Sequence, residues 1–410
     1  MAKPYIITGL DIGSGYIKML AVSKKSADDD FEILGYAQAP SFGIRKGVVV
    51  DVPKAASIVS TLAKKISEES GQKIGSVYAS LGGGHVFCLS SKGLVSVSRA
   101  DQKISEEDVE RVLKAAQAIS LSSNKEIIEI MPKEFIVDGG SGVKEALGMQ
   151  GVRLEAETLV LCGFTPYVKN STSTVLSSGL QLNDLIISPL ASSRAVLTPR
   201  EKELGVCLLD IGAGTTDLAV FEEGSLIHTA IFPIGSGHIT NDIAICLKTD
   251  IDTAEKIKIE FGSCGLAPKK GKEKKTKANY QITGGEESSL DFSKKELNNI
   301  IEARVGEIFD LVAKELKSIS KQAMLPAGIV LTGGGAKLPG IKEFAKKQLK
   351  LPCRIGVSKI SYNFQEDPSL SALYGLVLEG IDTEKEQGNM PTLKKGIRNK
   401  IRKFFRLFIP

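Results

Sequence analysis

The chain has 410 residues, of which 42% are hydrophobic and 25% charged, and its formal net charge is +5. These values are typical of a globular protein with two or three packed domains, and they exclude wholesale disorder and fibrous architectures. No segment reaches the roughly 18 uncharged apolar residues of a membrane-spanning helix, and the N-terminus lacks the pattern of a signal peptide, so we expect a chain that stays in the cytosol.

In chain order, the first predicted element is a β-hairpin whose strands flank Gly13-Ser14-Gly15. Helices are predicted over 53–70 and from a cap at Ser105 to Ile119, because apolar residues recur there at helical spacing. A second glycine hairpin follows at 206–221, then a long helix at 293–319. A third glycine turn, Gly333-Gly334-Gly335, ends a strand and leads to a helix at 341–349. Strands and helices alternate, so the predicted fold class is α/β, with one glycine hairpin in each of two similar lobes.

Two polar segments interrupt this pattern. Residues 265–289 are rich in lysine and glycine and are interpreted as a mobile surface loop. Residues 383–393 are poor in apolar side chains and are interpreted as a linker. The six cysteines form no CxxC pair and the three histidines are scattered. We therefore expect reduced, mostly buried thiols, structural or exposed histidines, and no structural zinc.

The two glycine hairpins predict a phosphate-binding site between the lobes. Turns without side chains let several backbone N–H groups converge on one phosphate. Asp11 and Asp210, each at a strand end, can hold Mg²⁺, usually through water, and Lys18 can reach back to a phosphate as a point charge. The site is not a Walker P-loop, because GxxxxGK[ST] does not occur. The candidates in the two hairpins are Gly13, Ser14, Gly15, Lys18, Gly212, Ala213, Gly214, Thr215 and Thr216.

Positive charge is concentrated at the C-terminal end, where residues 394–410 contain seven basic residues and no acidic one. The preceding residues carry a net charge of −2, which argues against a nucleic-acid-binding body. A helix over 396–410 would be only about 21 Å long at about 1.5 Å per residue, too short to cross a core of about 30 Å, so it is predicted to lie in the interface of an anionic membrane. Its apolar face would be Ile397, Ile401, Phe404, Phe405, Phe408 and Ile409, and its basic face would include Arg398, Arg402 and Arg406.

Eight segments together carry a family resemblance: GLDIGSG (9–15), SFGIRKGVVVD (41–51), SVYASLGGGHV (76–86), MPKEFIVDG (131–139), GMQGVRLEA (148–156), LASSRAVLT (190–198), ELGVCLLDIGAGTTDLAVF (203–221) and AGIVLTGGGAKLPG (327–340). With the amphipathic C-terminal segment, this set resembles the FtsA family of bacterial cell-division proteins, in the actin-like ATPase superfamily. The resemblance covers nearly the whole chain.

The resemblance implies an actin-like two-lobed fold of duplicated ribonuclease-H-like domains, with a small inserted subdomain in each lobe and a C-terminal amphipathic helix. The implied first-lobe core is 1–83, 163–202 and roughly 370–382, and the second-lobe core is 203–245 and 320–369. The implied small subdomains are 84–162, which would make contacts with further copies and partners, and 246–319. A linker, 383–395, would lead to the membrane-targeting helix, 396–410.

The resemblance also implies ATP and Mg²⁺ as ligands. Gly333, Gly334 and Gly335, followed by Lys337, match the adenosine turn, and Glu255 and Lys258 match an ExxK pair that contacts ribose and base. The catalytic candidates are Asp11, Asp210 and Ser188. Ser188 occupies the position where related ATPases place the Glu or Gln that orients the attacking water. Because serine is a poor base, we expect hydrolysis to be slow and to act as a switch at most.

By the same resemblance, the partners would be the C-terminal peptide of FtsZ, further copies of the chain in protofilaments, later division proteins and the cytoplasmic membrane at the division site. Arg304 matches a basic contact for the FtsZ peptide, and Lys295 is a second candidate. Two alternatives remain open. One is another actin-like membrane scaffold, such as a type IV pilus ATP-binding protein or a rod-shape filament protein. The other is a sugar or acetate kinase, which would need a catalytic carboxylate and would have no use for a lipid-binding tail.

Overall fold

The structure is a computed structural model that describes residues 5–24, 31–264, 275–281, 287–321, 324–358 and 366–388. Up to residue 204 the elements are β1 (Tyr5–Ile12), β2 (Tyr16–Lys24), β3 (Glu32–Pro40), β4 (Ile44–Arg45), β5 (Val48–Val49), α1 (Val52–Ser70), β6 (Ser76–Leu81), β7 (Phe87–Ser96), α2 (Glu106–Ala116), β8 (Lys125–Val137), β9 (Gly140–Val143), β10 (Arg153–Phe164), α3 (Thr165–Ser177), β11 (Gln181–Ile187), α4 (Ser188–Val196) and α5 (Pro199–Leu204).

The remaining elements are β12 (Val206–Ile211), β13 (Thr216–Glu222), β14 (Ser225–Phe232), α6 (Ser236–Leu247), α7 (Ile251–Phe261), β15 (Lys275–Gln281), β16 (Glu287–Ser293), α8 (Lys294–Ser318), β17 (Gly328–Thr332), α9 (Ile341–Leu349), β18 (Cys353–Ile355) and α10 (Ser371–Gly388). Two short 3₁₀ helices, Gly334–Lys337 and Pro368–Leu370, lie between them.

The two lobes are built on sheets of the same topology. In the first, β1 and β3 both pair antiparallel with β2, β6 pairs parallel with β1, and β11 pairs parallel with β6. In the second, β12 and β14 both pair antiparallel with β13, β17 pairs parallel with β12, and β18 pairs parallel with β17. This repetition confirms the predicted α/β class and the two lobes of similar design.

Local sequence explains where the predicted helices begin and end. Asp51 caps α1 by accepting the Lys54 N–H at 3.1 Å, and Gly71 ends it in the left-handed conformation at φ 65°. Ser105 and Asp108 form a capping box at the start of α2, which ends at Ala116 rather than at Ile119. Helices α8 and α9 lie within one residue of the predicted bounds.

Helix α4 lies between the two sheets. Its C-terminal Val196 belongs to a core that includes Leu208 and Ala219 of the second sheet. On its other side α4 crosses α10 so closely that a Cβ on Gly375 would lie 1.7 Å from the Ala191 carbonyl oxygen. The inserted subdomain is a separate four-stranded sheet, in the order β7-β10-β8-β9, covered by α2.

The structure corrects two predictions. Part of the segment 265–289 is not loop, because β15 and β16 pair antiparallel from Lys275↔Ser293 to Gln281↔Glu287. This hairpin is polar, so hydrophobic periodicity gave no signal for it. Helix α10 continues to Gly388, into the segment predicted as a linker, since residues such as Glu384 and Lys385 extend an existing helix readily.

The predicted membrane helix, 396–410, lies outside the described residues. Within the described ranges, no helix combines the length and the apolar character needed to cross a membrane.

Candidate functional site: a cleft between two glycine hairpins

The first glycine hairpin is held against the segment that precedes α1. Ser41 donates its hydroxyl to the Gly13 carbonyl at 2.5 Å and its N–H to the Gly15 carbonyl at 3.0 Å. Ser14 Oγ in turn accepts the Gly47 N–H at 2.7 Å. The turn of the first lobe is therefore fixed by hydrogen bonds rather than left to move freely.

The second glycine hairpin is held by the N-terminus of α6. The Gly237 N–H donates to the Ala213 carbonyl at 2.8 Å, and a Cβ on Gly237 would lie 2.8 Å from the same oxygen, so only glycine allows this approach. Thr216, at the start of β13, is fully buried and donates its hydroxyl to the Ile234 carbonyl at 2.9 Å. The Thr216 hydroxyl is thus engaged with the backbone of the same lobe.

The two hairpins touch at their tips. A Cβ added to Gly214 would lie 2.5 Å from Ser14 Oγ, and one added to Gly15 would lie 2.8 Å from the Ala213 Cβ. This contact brings together Ser14 and Gly214, which are 200 positions apart in the sequence. The glycines permit an approach that any side chain would prevent.

A cleft of about 700 Å³ opens beside the tips, a size typical of ligand sites. It takes in Ser14, Ala213, Gly214 and Glu255 from the sequence candidates. The rest of its lining is Ile44, Arg45, Lys46, Gly237, His238, Thr240, Asn241, Ile251 and Asp252. Backbone turns from both lobes and two basic side chains thus face one space, which is the arrangement that binds phosphate groups.

The basic residues that line this cleft are Arg45 and Lys46, whereas the sequence predicted Lys18. Lys18 lies opposite Asp11 in the hairpin, with Nζ 3.6 Å from Asp11 Oδ2, and it donates to the Ser369 carbonyl at 2.6 Å. It is not among the lining residues. Arg45 and Lys46 are exposed in the cleft and make no ion pair with any described residue, so they are the cations available to an anion there.

Three carboxyl groups lie together behind the hairpin tips. Asp210 accepts a hydrogen bond from Ser192 Oγ at 2.5 Å and faces Asp217 in the antiparallel register. Burial raises the pKa of Asp210 to about 6, a rise that the Ser192 hydrogen bond opposes and the Asp11 carboxylate reinforces. Burial, followed by the charge of Asp210, raises the pKa of Asp217 well above its usual value.

These carboxyls fit a cation held through water. Asp217 Oδ1 is buried and has no hydrogen-bond partner among the described residues, an arrangement that a positive charge or a bound water would satisfy. Within the described part of the chain, no group of three or more His, Cys, Asp or Glu residues is placed to ligate a metal directly. Asp11 and Asp210 are therefore suited to the water-mediated contact that Mg²⁺ usually keeps.

Glu255 and Lys258 form one network with Thr240 across α6 and α7. Lys258 Nζ donates to Glu255 Oε2 at 2.6 Å and to Thr240 Oγ1 at 2.9 Å, and Thr240 donates to the same carboxylate at 2.5 Å. Glu255 lines the cleft, whereas Lys258 lies behind it and orients the Glu255 carboxylate.

The third glycine turn packs behind the second hairpin and does not line the cleft. Gly333 has φ 83° and donates its N–H to the Pro368 carbonyl at 3.0 Å, while Gly335 lies against Ile211. Gly334 faces Ser369, and Lys337 donates to Asp367 at 2.5 Å. The structure thus places this turn beside Asp210 but not in the same space as Ser14 and Glu255.

Ser188 begins α4, and its hydroxyl donates to the Leu81 carbonyl at 3.2 Å. Thr215 closes the second hairpin by accepting the Gly212 N–H on its carbonyl at 2.9 Å. Neither residue is among those lining the cleft.

The partner candidates lie on α8. Arg304 donates to both carboxylate oxygens of Asp242 on α6, at 2.6 and 2.8 Å, and also pairs with Glu307. Its side chain keeps 25% exposure, so it remains accessible at the edge of that pair. Lys295 lies at the exposed start of the same helix.

Sequence reasoning missed several residues of the site. Arg45 and Lys46 stand between Gly43 and Gly47 in the SFGIRKGVVVD segment, which indicated the family but no ligand contact. Two basic residues flanked by glycines are the sequence feature that could have indicated phosphate binding there. Asp217 closes the second hairpin motif. His238 accepts a hydrogen bond from the Gly235 N–H at 3.1 Å and caps α6, which is the structural role expected of it, but it also lines the cleft.

Comparison with known proteins identifies the family. The family model “Cell division protein FtsA” matches residues 207–375, and “SHS2 domain inserted in FTSA” matches residues 83–162. The Cell division protein FtsA of Pseudomonas aeruginosa is 36% identical, with 94% of this chain and 91% of that protein covered. The FtsA proteins of Bacillus subtilis and Escherichia coli are 33% and 32% identical over 93% and 92% of this chain, and 85% and 90% of their own lengths are covered.

Solved structures share the fold at low sequence identity. A chain of the PilM–PilN type IV pilus biogenesis complex is matched with a TM-score of 0.65 at 17% identity, covering 92% of this chain and 98% of that one. MreB5 of Spiroplasma citri bound to ADP is matched with a TM-score of 0.55 at 14% identity, covering 94% and 99%. The two-lobed architecture is therefore actin-like, and the near-complete similarity to FtsA proteins shows that this chain belongs to the FtsA family of cell division proteins.

Proposed function

We propose that this chain is an ATP-binding scaffold of bacterial cell division. It attaches the FtsZ polymer to the inner face of the cytoplasmic membrane at the division site, assembles into protofilaments and recruits later division proteins. The observation that carries the proposal is the cleft in which glycine hairpins from two lobes converge beside two exposed basic side chains that form no ion pair with a described residue.

ATP fits this cleft by charge and by shape. Ser14 of the first turn and Ala213 and Gly214 of the second line the cleft, where their backbone N–H groups would donate to phosphate oxygens, and Arg45 and Lys46 supply positive charge at the same opening. Glu255 is held in position by Lys258 and Thr240 at the other side of the cleft, where its carboxylate can accept hydrogen bonds from ribose hydroxyls. Mg²⁺ would be held through water by Asp11 and Asp210 and would neutralise phosphate charge.

Slow hydrolysis agrees with the surroundings of Ser188. Its hydroxyl is committed to the Leu81 carbonyl, and serine does not take up a proton near neutral pH. Ser188 can position a water but cannot act as its base. The nucleotide then works as a switch whose state persists, which suits a scaffold better than a metabolic enzyme.

Nucleotide binding is tested by calorimetry with ATP and Mg²⁺. Gly214→Ala should weaken ATP binding at least about tenfold, because the new Cβ would force apart the hairpin tips at Ser14. Gly75→Ala is the matched control, since a Cβ there meets no atom within 4 Å. No heat of binding for the folded wild-type chain, or wild-type affinity in Gly214→Ala, would contradict the proposal.

Membrane attachment is tested by sedimentation with anionic vesicles. Ile401→Asp places a charge at the centre of the predicted apolar face, whereas Asn399→Asp places the same charge on the opposite face. Ile401→Asp should release the full chain from the vesicles, and Asn399→Asp should not. Removal of residues 394–410 should also abolish binding. Pelleting of the truncated chain would overturn the anchor.

Binding of the FtsZ C-terminal peptide is tested on α8. Arg304→Ala should weaken capture of the peptide, because the guanidinium lies at an accessible edge of the helix. Lys314→Ala removes a charge from an exposed position of the same helix and serves as the control. Equal capture by both variants would place the peptide elsewhere.

A further inference from the structure

Three chemically active side chains meet at the seam between the inserted subdomain and the second lobe. Cys88 lies on β7, His228 on β14 and Glu315 on α8. Cys88 Sγ lies 3.4 Å from His228 Nδ1, and His228 Nε2 lies 2.6 Å from Glu315 Oε1. None of the three lines the nucleotide cleft, so the cluster has no part in the site described above.

The order of these groups is that of an activated nucleophile. A base within reach of a thiol, itself oriented by a third group, is the arrangement that cysteine-dependent enzymes use to form a thiolate. When His228 donates its Nε2 proton to Glu315, Nδ1 becomes the acceptor and faces Cys88. The carboxylate then stabilises the imidazolium that forms when the thiol loses its proton.

The surroundings of His228 favour its protonated form. Burial opposes a charge on His228, but the interactions with Cys88 and Glu315 outweigh it, so the pKa of His228 lies above its usual value. An imidazolium beside a thiol favours the thiolate, which is the reactive form. No other described histidine has a cysteine and a carboxylate on its two ring nitrogens.

The cluster is accessible to small solutes. Cys88 is partly exposed, and the side chains of His228 and Glu315 keep 18% and 30% of their exposure. Cys162, on the adjacent strand β10, cannot pair with it: Cys162 stands opposite Phe87 and Cys88 opposite Leu161, so the two sulfurs point to different faces of the sheet. Cys88 is therefore a single reactive site with no partner thiol in its sheet.

We propose that Cys88 is a modification site, a thiol activated by His228 and Glu315 that a small hydroperoxide oxidises to a sulfenic acid. The thiol proton passes to His228 Nδ1, and the sulfur attacks one peroxide oxygen, so that an S–O bond forms as the O–O bond breaks. The leaving hydroxide takes the proton from His228 and departs as water. The sulfur loses two electrons to the peroxide, and a small thiol can later return it to the reduced state through a mixed disulfide.

Oxidation at this point would act on the seam itself. Cys88 packs against the core shared by the inserted subdomain and the second sheet, and its sulfur also lies 3.4 Å from the Thr229 carbonyl oxygen on β14. An oxygen added to this sulfur would be bound beside the contact between β7 and β14. The docking of the inserted subdomain on the second lobe thereby becomes sensitive to peroxide.

The wild-type full chain provides the first test, because it contains its own control. Cys246 is more exposed than Cys88 and hydrogen-bonds to no described residue. The rate of iodoacetamide labelling at each cysteine is measured by peptide mass spectrometry. At about pH 7, Cys88 should react about tenfold faster than Cys246, because an ordinary thiol is only a few per cent ionised there. If Cys88 reacts no faster than Cys246, its S–H group only donates a hydrogen bond to the Thr229 carbonyl, and the proposal fails.

Variants identify the activating groups. His228→Gln should slow labelling of Cys88 to about the rate of Cys246 and move its pH profile to that of an ordinary thiol. Glu315→Gln should have a smaller effect in the same direction. Glu296→Gln makes the same charge change at an exposed position of α8 and should have none. Thermal unfolding establishes that each variant is folded, and an unchanged rate in folded His228→Gln would refute the role of the imidazole.

Peroxide is then used as the oxidant itself. After exposure to hydrogen peroxide, trapping with dimedone should label Cys88 of the wild-type chain, and the adduct should disappear in Cys88→Ser. Labelling that appears first at Cys246 would show that exposure, and not the His228–Glu315 pair, governs oxidation.

Discussion

Replacing Asp210 by asparagine, which keeps the shape of the side chain and removes its charge, should stabilise the nucleotide-free protein near neutral pH. The pKa of Asp210 is raised from an ordinary 3.8 to about 6 by burial, so its protonated form fits the fold better than the carboxylate. Ionising this carboxyl therefore lowers the free energy of unfolding. This cost is zero below about pH 3.8, grows as the pH rises, and is complete above about pH 6. At about 1.4 kcal/mol per pH unit, this cost reaches about 3 kcal/mol, an upper bound because Asp210 is only partly buried.

Urea unfolding without nucleotide measures this cost. Asp210→Asn should raise the free energy of unfolding by up to about 3 kcal/mol at about pH 7.5 and by about half as much at about pH 5. Asp310→Asn, at an exposed position of α8, removes the same charge without burial and should change little. The Ser192 hydroxyl can still donate to the asparagine oxygen, so no hydrogen bond is lost at that point.

Adding ATP and Mg²⁺ should remove most of the difference in stability between the variant and the wild-type chain. A ligand at about a hundred times its dissociation constant stabilises the wild-type chain by about 2.7 kcal/mol, and Asp210→Asn should lose most of this gain along with its contact to the hydrated metal. A variant that is less stable than wild type at about pH 7.5, or one that keeps the full stabilisation by Mg²⁺ and ATP, would refute this account of the buried carboxyl.

Two further predictions separate positions that look alike in the sequence. Gly375→Ala should destabilise the protein by about 1–3 kcal/mol or more, because the new Cβ would collide with the Ala191 carbonyl. Gly306→Ala, in the middle of α8 where a Cβ meets no atom, should instead stabilise it by up to about 1 kcal/mol. Urea unfolding measures both changes. In calorimetric titrations, Lys46→Ala should lower the affinity for ATP more than Lys18→Ala does, at low and at high salt, because Lys18 is engaged with Asp11. A larger loss of affinity in Lys18→Ala would show that Lys18 is the phosphate contact.

The sequence by itself determined the two glycine hairpins, the helices with apolar stripes and caps, and the α/β alternation of a two-lobed fold. These features depend on local preferences, such as the glycine turn after Asp210 or the Ser105 cap, which a window of a few residues contains. It also contained enough family motifs to indicate the FtsA family. It failed where polar strands carried no periodic signal, as in the hairpin of β15 and β16.

Only the tertiary structure decided which side chains meet. Lys18 was expected at a phosphate but pairs with Asp11, and the cations of the cleft come from Arg45 and Lys46. Cys88 and His228 are separated by 140 residues, and neither carries a local sign of the other. The reason is physical: a backbone conformation depends mainly on near neighbours, whereas the charge, reactivity and accessibility of a side chain depend on groups that long-range packing brings beside it.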